Sequence, residues 1–340
     1  METILQVENL HTSFRTRAGT VNAVRGVSFA LAKGEMLGIV GESGSGKSVT
    51  SMSLLRLLGS NGKVTQGRAL FGDTDLTAVS AKEMRGIRGG KISMIFQDPM
   101  SSLNPVIPVG AQVAEMLLEH RRGISKEAAK SRVLELFALV RIPEPENRYG
   151  NYPHQFSGGM RQRVMIAMAL ACNPDIVIAD EPTTALDVTI QDQILKLLRR
   201  LQQELGTSVI FITHDLGVVA ELCSRVLVMY GGMVMEEAQI DELFYSTAHP
   251  YTLGLLKSVP RLNQSKGERL LPIPGSPPDM LRPPKGCPFS PRCTYSRRIC
   301  AERTPPYTQL SGTHRSMCHL LLPEAPQQDN PFKGGGANGR

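Results

Sequence analysis

Eight consecutive residues, Gly41-Glu42-Ser43-Gly44-Ser45-Gly46-Lys47-Ser48, limit what this chain can fold into more than any other feature. They fit the phosphate-loop pattern G-x-x-x-x-G-K-[ST] completely, a pattern that needs a strand before it and a helix after it. Residues 36–40 read as a short buried strand leading directly into the loop. Met52, Leu54, Leu55, Leu57 and Leu58 form an apolar stripe that predicts a helix through about Leu58. In that setting the glycines let successive backbone N–H groups turn inward around phosphates, and the helix N-terminus adds a favourable dipole. Lys47 is placed to reach the β- and γ-phosphates, and Ser48 to ligate Mg²⁺.

The rest of the chain supplies the sheet that such a loop requires. Residues 4–10 and 21–31 alternate or run apolar around a turn at 17–20, as antiparallel strands do. Strands are expected at 91–96, 176–179, 208–213 and 225–229. Helices are expected at 109–118, 126–140, 160–171, 188–205 and 215–223. Strands alternating with helices imply an α/β fold with a parallel sheet covered on both faces. The helical stretch between Gln97 and Ile176 reads as a subdomain inserted on that sheet.

Hydrophobic residues make up 41% and charged residues 20% of the 340, which excludes a fibrous or wholly disordered chain. No apolar stretch approaches the ~18–20 residues of a membrane span, so a cytosolic protein is expected. If it serves transport, other chains supply the membrane path. The net charge of +7 is uneven: residues 251–340 carry 13 Lys+Arg against 5 Asp+Glu. A basic end of this kind suits nucleic acid, an anionic surface or simply solvent. Prolines crowd residues 260–291 and forbid long helices there. Residues 323–340, rich in Pro, Gln, Gly and Asn, read as a disordered tail. Cys287, Cys293, Cys300 and Cys318 cluster, and in a reducing compartment such a group holds metal more readily than disulfides. Cys172 and Cys223 are expected on helices as buried apolar fillers.

Asp180 follows four apolar residues, where a carboxylate can hold Mg²⁺ through its water shell. Glu181, one residue on, is expected to point the other way on an extended chain, within reach of an attacking water. At this point the motifs become specific. Phe156-Ser157-Gly158-Gly159-Met160 resembles the signature loop of the ABC ATPase family. Gln97 in Phe96-Gln97-Asp98 resembles its Q-loop, Ala185-Leu186-Asp187 its D-loop, and His214 its switch histidine. The resemblance implies ATP hydrolysis at the interface of two cassettes, with Glu181 as base, His214 as γ-phosphate sensor and Gln97 as a catalytic residue at Mg²⁺, in a Q-loop that passes the motion to membrane subunits. Ser157, Gly158 and Gly159 would meet the partner's ATP, Asp187 would lie at the same interface, and Phe14 would stack on adenine. Met160 departs from the Gln of many relatives without touching the serine or glycines. The implied fold is a P-loop NTPase of ABC cassette type over 1–250: a RecA-like parallel-sheet core, an antiparallel β subdomain and a helical subdomain at about 98–172. A Pro/Cys-rich extension spans 251–322.

Residues 97–105 (QDPMSSLNP), His249-Pro250-Tyr251-Thr252 and the stretch from Gly286 to His319 are similar to ATPase subunits of dipeptide and oligopeptide permeases. That resemblance implies a peptide importer at the cytoplasmic face of a bacterial membrane. Its partners would be a second, paralogous ATPase, two transmembrane permease subunits and an extracytoplasmic binding protein, with no nucleic acid. It also implies a [4Fe–4S] cluster on the four clustered cysteines. Their gaps of five, six and seventeen residues miss the C-x₂₋₄-C pairs usual for zinc, which stays the alternative. Arg292, Arg297, Arg298 and Arg315 are expected to offset the thiolate charge, while His314 and His319 read as bystanders. Rival readings are another cargo, such as nickel or glutathione, a nucleic-acid-associated ABC ATPase, and a metal-sensing regulator.

Overall fold

The computed structural model describes residues 2–184, 186–258, 272–324 and 330–332. Ala185 and most of 323–340 lie outside the described residues. Two compact units make up the chain: Met1–Ile4, Leu31–Met36 and Ala78–Ile212 form one, and Leu5–Ala30, Leu37–Thr77 and Thr213–Arg340 the other. The phosphate loop and the C-terminal extension therefore belong to the same unit.

In that unit Thr3–Thr16 and Gly19–Ala32 are longer than their apolar cores suggest, and they enter a four-stranded sheet with Gly62–Phe71 and Thr74–Asp75. Leu5 pairs with Phe71 and Phe14 with Gly62 in an antiparallel ladder. Alternation puts Leu5, Val7, Val27, Phe29 and Leu31 in the core. Met36–Val40 is buried throughout and lies parallel to Arg225–Tyr230, with Ile39 opposite Leu227. Gly38 permits this packing, because a Cβ there would sit 2.6 Å from Val219 Cγ1.

Gly62–Phe71, Met233–Gln239 and the two-residue strands Thr74–Asp75, Thr308–Gln309 and Arg315–Ser316 were not expected. Met233–Gln239 pairs antiparallel with Arg225–Tyr230 on one side and with Arg315–Ser316 on the other. The extension thus adds its own strands, including Thr308–Gln309, to the edge of this sheet. Glu236 and Glu237 hide the strand from a hydrophobicity reading, yet both are buried. Glu236 accepts hydrogen bonds from Ala248 N (2.6 Å) and Thr247 Oγ1 (3.3 Å) and pairs with His314 Nε2 (2.8 Å). Glu237 is matched by Arg225 and Arg315. Buried charges persist when paired in this way.

The other unit has a parallel ladder in which Ile92 stands opposite Ile176 and Ile176 opposite Ser208. Helices Val109–His120, Lys126–Leu139 and Gly158–Leu170 turn Val113, Leu117, Val133, Phe137, Val164 and Ile166 into the core. Val188–Leu205 begins on Asp187, whose Oδ1 accepts from Ile190 N at 2.9 Å, and ends on Gly206 at φ 64°. Among the described residues no helix is long and apolar enough to cross a membrane.

Three expectations need correction. The helix after the phosphate loop stops at Leu54, not Leu58, because Arg56 takes φ 50° and Leu57 N bonds Met52 O at 2.8 Å. Its buried face holds Thr50, Ser51 and Ser53 as well as Leu54. Cys172 follows the end of its helix in a turn and is only half-buried, while Cys223 is the buried C-cap of Leu216–Leu222. Arg292 and Arg315 do not offset thiolates, since each is committed to a carboxylate, Glu42 and Glu237 respectively.

Candidate functional site: a phosphate loop and a carboxylate cluster

The phosphate loop leaves the buried strand at Gly41 and turns through Gly44 (φ 78°) and Gly46 (φ 100°), which caps the helix Lys47–Leu54. Gly46 has no room for a side chain: a Cβ would stand 2.6 Å from Ala23 O. Lys47 is buried, and its Nζ donates to Gly41 O (2.7 Å) and Glu42 O (3.1 Å), so the ammonium is folded over the loop. Ser45 Oγ is also buried and has no hydrogen-bond partner among the described residues. A glycine loop with a buried cation and an unpaired hydroxyl suits a polyanion. Ser48, expected at Mg²⁺, is half-buried at the start of the helix, and Ser43 and Gly44 are exposed. Phe14 is half-buried, its ring lying over Gly62, where a Cβ would come within 2.5 Å of Phe14 Cε1.

The loop is tied down by residues that a motif reading misses. Glu42 N donates to Tyr251 Oη at 2.9 Å, and Arg292 grips the Glu42 carboxylate. Tyr251 is seated by His249, whose Nδ1 accepts from Tyr251 N at 3.0 Å. Burial lowers the His249 imidazole from its ordinary 6.5 to about 3. The folded chain thus keeps His249 neutral while the unfolded chain protonates it below about 6.5. The stability this supplies is complete above that value and falls as the pH drops, by about 1.4 kcal/mol per pH unit. His249→Asn keeps an acceptor for Tyr251 N and removes the titration. Chemical denaturation between pH 7 and 5 is expected to show a steeper loss in the wild type than in His249→Asn; equal slopes would rule this account out.

In the other unit Asp180 ends the strand Ile176–Asp180 and is buried. Glu181 departs from expectation, for it is not extended but sits at φ 45° with its N–H bonded to Ile212 O at 2.9 Å. A non-glycine residue in that region is strained, and such strain clusters at functional sites. The Glu181 carboxylate oxygen Oε2 accepts from Gln97 Nε2 (3.1 Å) and Thr184 Oγ1 (3.0 Å). The structure therefore brings Gln97 and Glu181 together, 84 residues apart in sequence, and adds Thr184, which no pattern pointed to. Two donors thus orient the carboxylate. His214 is exposed, directly after the strand Ser208–Thr213.

Ser157 caps the helix Gly158–Leu170, its Oγ accepting from Met160 N at 3.3 Å. Ser157 and Gly158 are exposed at the start of this thirteen-residue helix. Gly159 is buried because a Cβ would lie 2.7 Å from Ile190 Cγ2, on the helix capped by Asp187. Ser157 and Asp187 thus begin two helices that touch.

The four clustered cysteines are free thiols, Cys287 and Cys318 buried, Cys293 and Cys300 half-buried. Burial, and then the charge of the neighbouring thiols, pushes Cys318 up to about 12 and Cys287 likewise. All four are near enough to act on one another, and Cys287 N bonds Cys300 O at 2.8 Å. Among the described residues no group of three or more His, Cys, Asp or Glu is placed to hold a metal ion. His314 is engaged by Glu236, and His319 Nε2 meets Arg303 O at 3.0 Å.

The strand, glycine loop, buried lysine and following helix define a P-loop nucleotide-binding protein. A family model described as ABC transporter matches residues 24–184, and one described as Oligopeptide/dipeptide transporter, C-terminal region, matches 235–300. The oligopeptide transport ATP-binding protein OppD of Bacillus subtilis (strain 168) is 55% identical over 329 residues, covering 96% of this chain and 92% of that protein. The dipeptide transport ATP-binding protein DppD of the same strain is 57% identical over 321 residues, with 94% and 95% covered. The dimeric post-hydrolysis structure of the ATP-binding cassette MJ0796 with ADP and Pi is 31% identical, with TM-score 0.63 over 69% of this chain and 98% of that one. The chain belongs to the ABC transporter family, as an ATP-binding subunit.

Proposed function

We propose that this chain hydrolyses ATP to drive import of oligopeptides or dipeptides. The observation that carries the reading is the cassette and the peptide-transporter C-terminal region occurring in one chain, at 55% and 57% identity to OppD and DppD over nearly full length. In this reading the amides of 41–48 and Lys47 hold the ATP phosphates, and Phe14 stacks on adenine. Ser48, Asp180 and Gln97 serve Mg²⁺, Glu181 is the general base and His214 the γ-phosphate sensor. Ser157, Gly158, Gly159 and Asp187 complete the site of a second ATPase. Exposure of Ser157 and Gly158 at the helix start supports this, because a helix N-terminus favours phosphate. Two membrane-spanning permeases and an extracytoplasmic binding protein complete the assembly, with this chain on the cytoplasmic face.

Cys287, Cys293, Cys300 and Cys318 would hold a [4Fe–4S] cluster as thiolates. Four thiols gathered in one short segment gain from a group that takes all four as anions at once. The sequence gaps of five, six and seventeen residues miss the C-x₂₋₄-C pairs usual for zinc. Such a cluster supplies one-electron redox chemistry and cross-links a segment with little core of its own. Anaerobic purification of the full chain tests both parts. Two co-purifying membrane proteins, broad visible absorption, and iron with acid-labile sulfide are expected. Salt-dependent nucleic-acid binding without membrane partners would overturn the transport reading. Bound zinc, or four thiols that titrate freely without metal, would overturn the cluster.

A further inference from the structure

Arg292 of the C-terminal extension reaches the phosphate loop. Arg292, adjoining Cys293, is almost wholly buried, its side chain 6% exposed. Its Nη1 donates to Glu42 Oε2 at 2.6 Å and its Nη2 to Glu42 Oε1 at 3.1 Å, a two-pronged pairing with the second residue of the loop. The remaining donors are used as well. Nε bonds Pro274 O (2.8 Å), Nη2 also bonds Ile273 O (3.0 Å), and Nη1 also bonds Tyr230 Oη (3.1 Å). The guanidinium lies 5.7 Å from the centre of the Tyr230 ring. Its stem packs against Gly275, where a Cβ would come 3.3 Å from Arg292 Cγ.

The second tie to Glu42 has the same origin. Tyr251 Oη accepts the Glu42 N–H, and the Tyr251 ring packs on Phe289 of the extension at 5.2 Å and on Tyr230 at 4.6 Å. Glu42 is therefore held at its amide and at its carboxylate by residues that lie more than 200 positions later in the chain. The carbonyls of Gly41 and Glu42 accept from Lys47 Nζ, so a shift of Glu42 moves the lysine that meets the phosphates.

We propose that Arg292 is a positioning residue for nucleotide binding: by gripping Glu42 it fixes the phosphate loop, and the C-terminal extension thereby sets the affinity for ATP. Arginine suits the task because its rigid fork matches a carboxylate bidentately, which lysine does not. The inference rests on the loop binding ATP, as proposed above.

The test uses the full-length chain and a fluorescent ATP analogue, with steady-state hydrolysis measured alongside. Arg292→Ala is expected to raise Kd and KM about tenfold while kcat at saturating ATP stays within about twofold. Arg292→Lys should fall between wild type and Arg292→Ala. Adding Arg292→Ala to Glu42→Gln should change Kd by less than about twofold, since the arginine acts through that carboxylate. A merely structural arginine would lower the melting temperature without this split between KM and kcat. If Arg292→Ala does not fold, Arg292→Lys and Glu42→Gln carry the test. Folded variants with unchanged Kd, or effects of the two positions that multiply, would overturn the proposal. Wild-type binding that is lost in Lys47→Ala confirms the loop as the nucleotide site independently. A wild type that binds no nucleotide sinks both readings.

Discussion

Glu181→Gln is expected to leave ATP binding within about twofold of wild type and to cut steady-state hydrolysis by about 10²–10⁴-fold. The substitution keeps size and shape, so the φ of 45° and the bond from the residue 181 amide to Ile212 O persist. What disappears is the carboxylate that Gln97 Nε2 and Thr184 Oγ1 orient at 3.1 and 3.0 Å. An amide cannot accept the proton of an attacking water, so the loss falls on kcat. Binding of a fluorescent ATP analogue and phosphate release, measured on the same preparation, separate the two quantities. Normal turnover in Glu181→Gln would remove Glu181 from the role of base.

Gly46→Ala should be the more disruptive change to the nucleotide site itself. The position combines φ 100° with a Cβ site 2.6 Å from Ala23 O, so both backbone conformation and space exclude a methyl group. Strain of this kind costs about 1–3 kcal/mol from the backbone alone, and backbone overlap adds to it. The loop has to move, and it carries the Lys47 ammonium with it, because Lys47 Nζ is bonded to Gly41 O and Glu42 O. Loss of nucleotide binding together with a lowered melting temperature is expected, by fluorescence titration and thermal unfolding. A variant that binds ATP like wild type would mean that the loop geometry does not govern affinity.

Most of the alternating elements were legible because their periodicity is local. Val188–Leu205 and Ser208–Thr213 coincide with the spans that their apolar patterns predict. The misreadings share one cause. Met233–Gln239 contains two glutamates whose partners, His314 and Arg315, lie some 78 residues away. Hydrophobicity cannot find a strand whose charges are neutralised from so far off. The helix after the phosphate loop ends early because Arg56 enters the left-handed region where the chain turns toward Gly62–Phe71, a choice made by the sheet and not by the leucines.

The site divides in the same manner. The residue types at 41–48, 97, 157–159, 180–181, 187 and 214 were readable from sequence, since each motif is a fixed spacing of groups that chemistry demands. That Gln97 and Thr184 both aim Glu181, that Glu181 is strained rather than extended, and that Arg292 closes on Glu42 follow only from the folded chain. The phosphate loop is written locally because a turn around phosphates needs glycines, a lysine and a helix start in immediate succession. Its restraint is decided by tertiary structure, because Tyr251 and Arg292 reach Glu42 only once the extension has packed beside the loop and the two-pronged pairing has been drawn out of water.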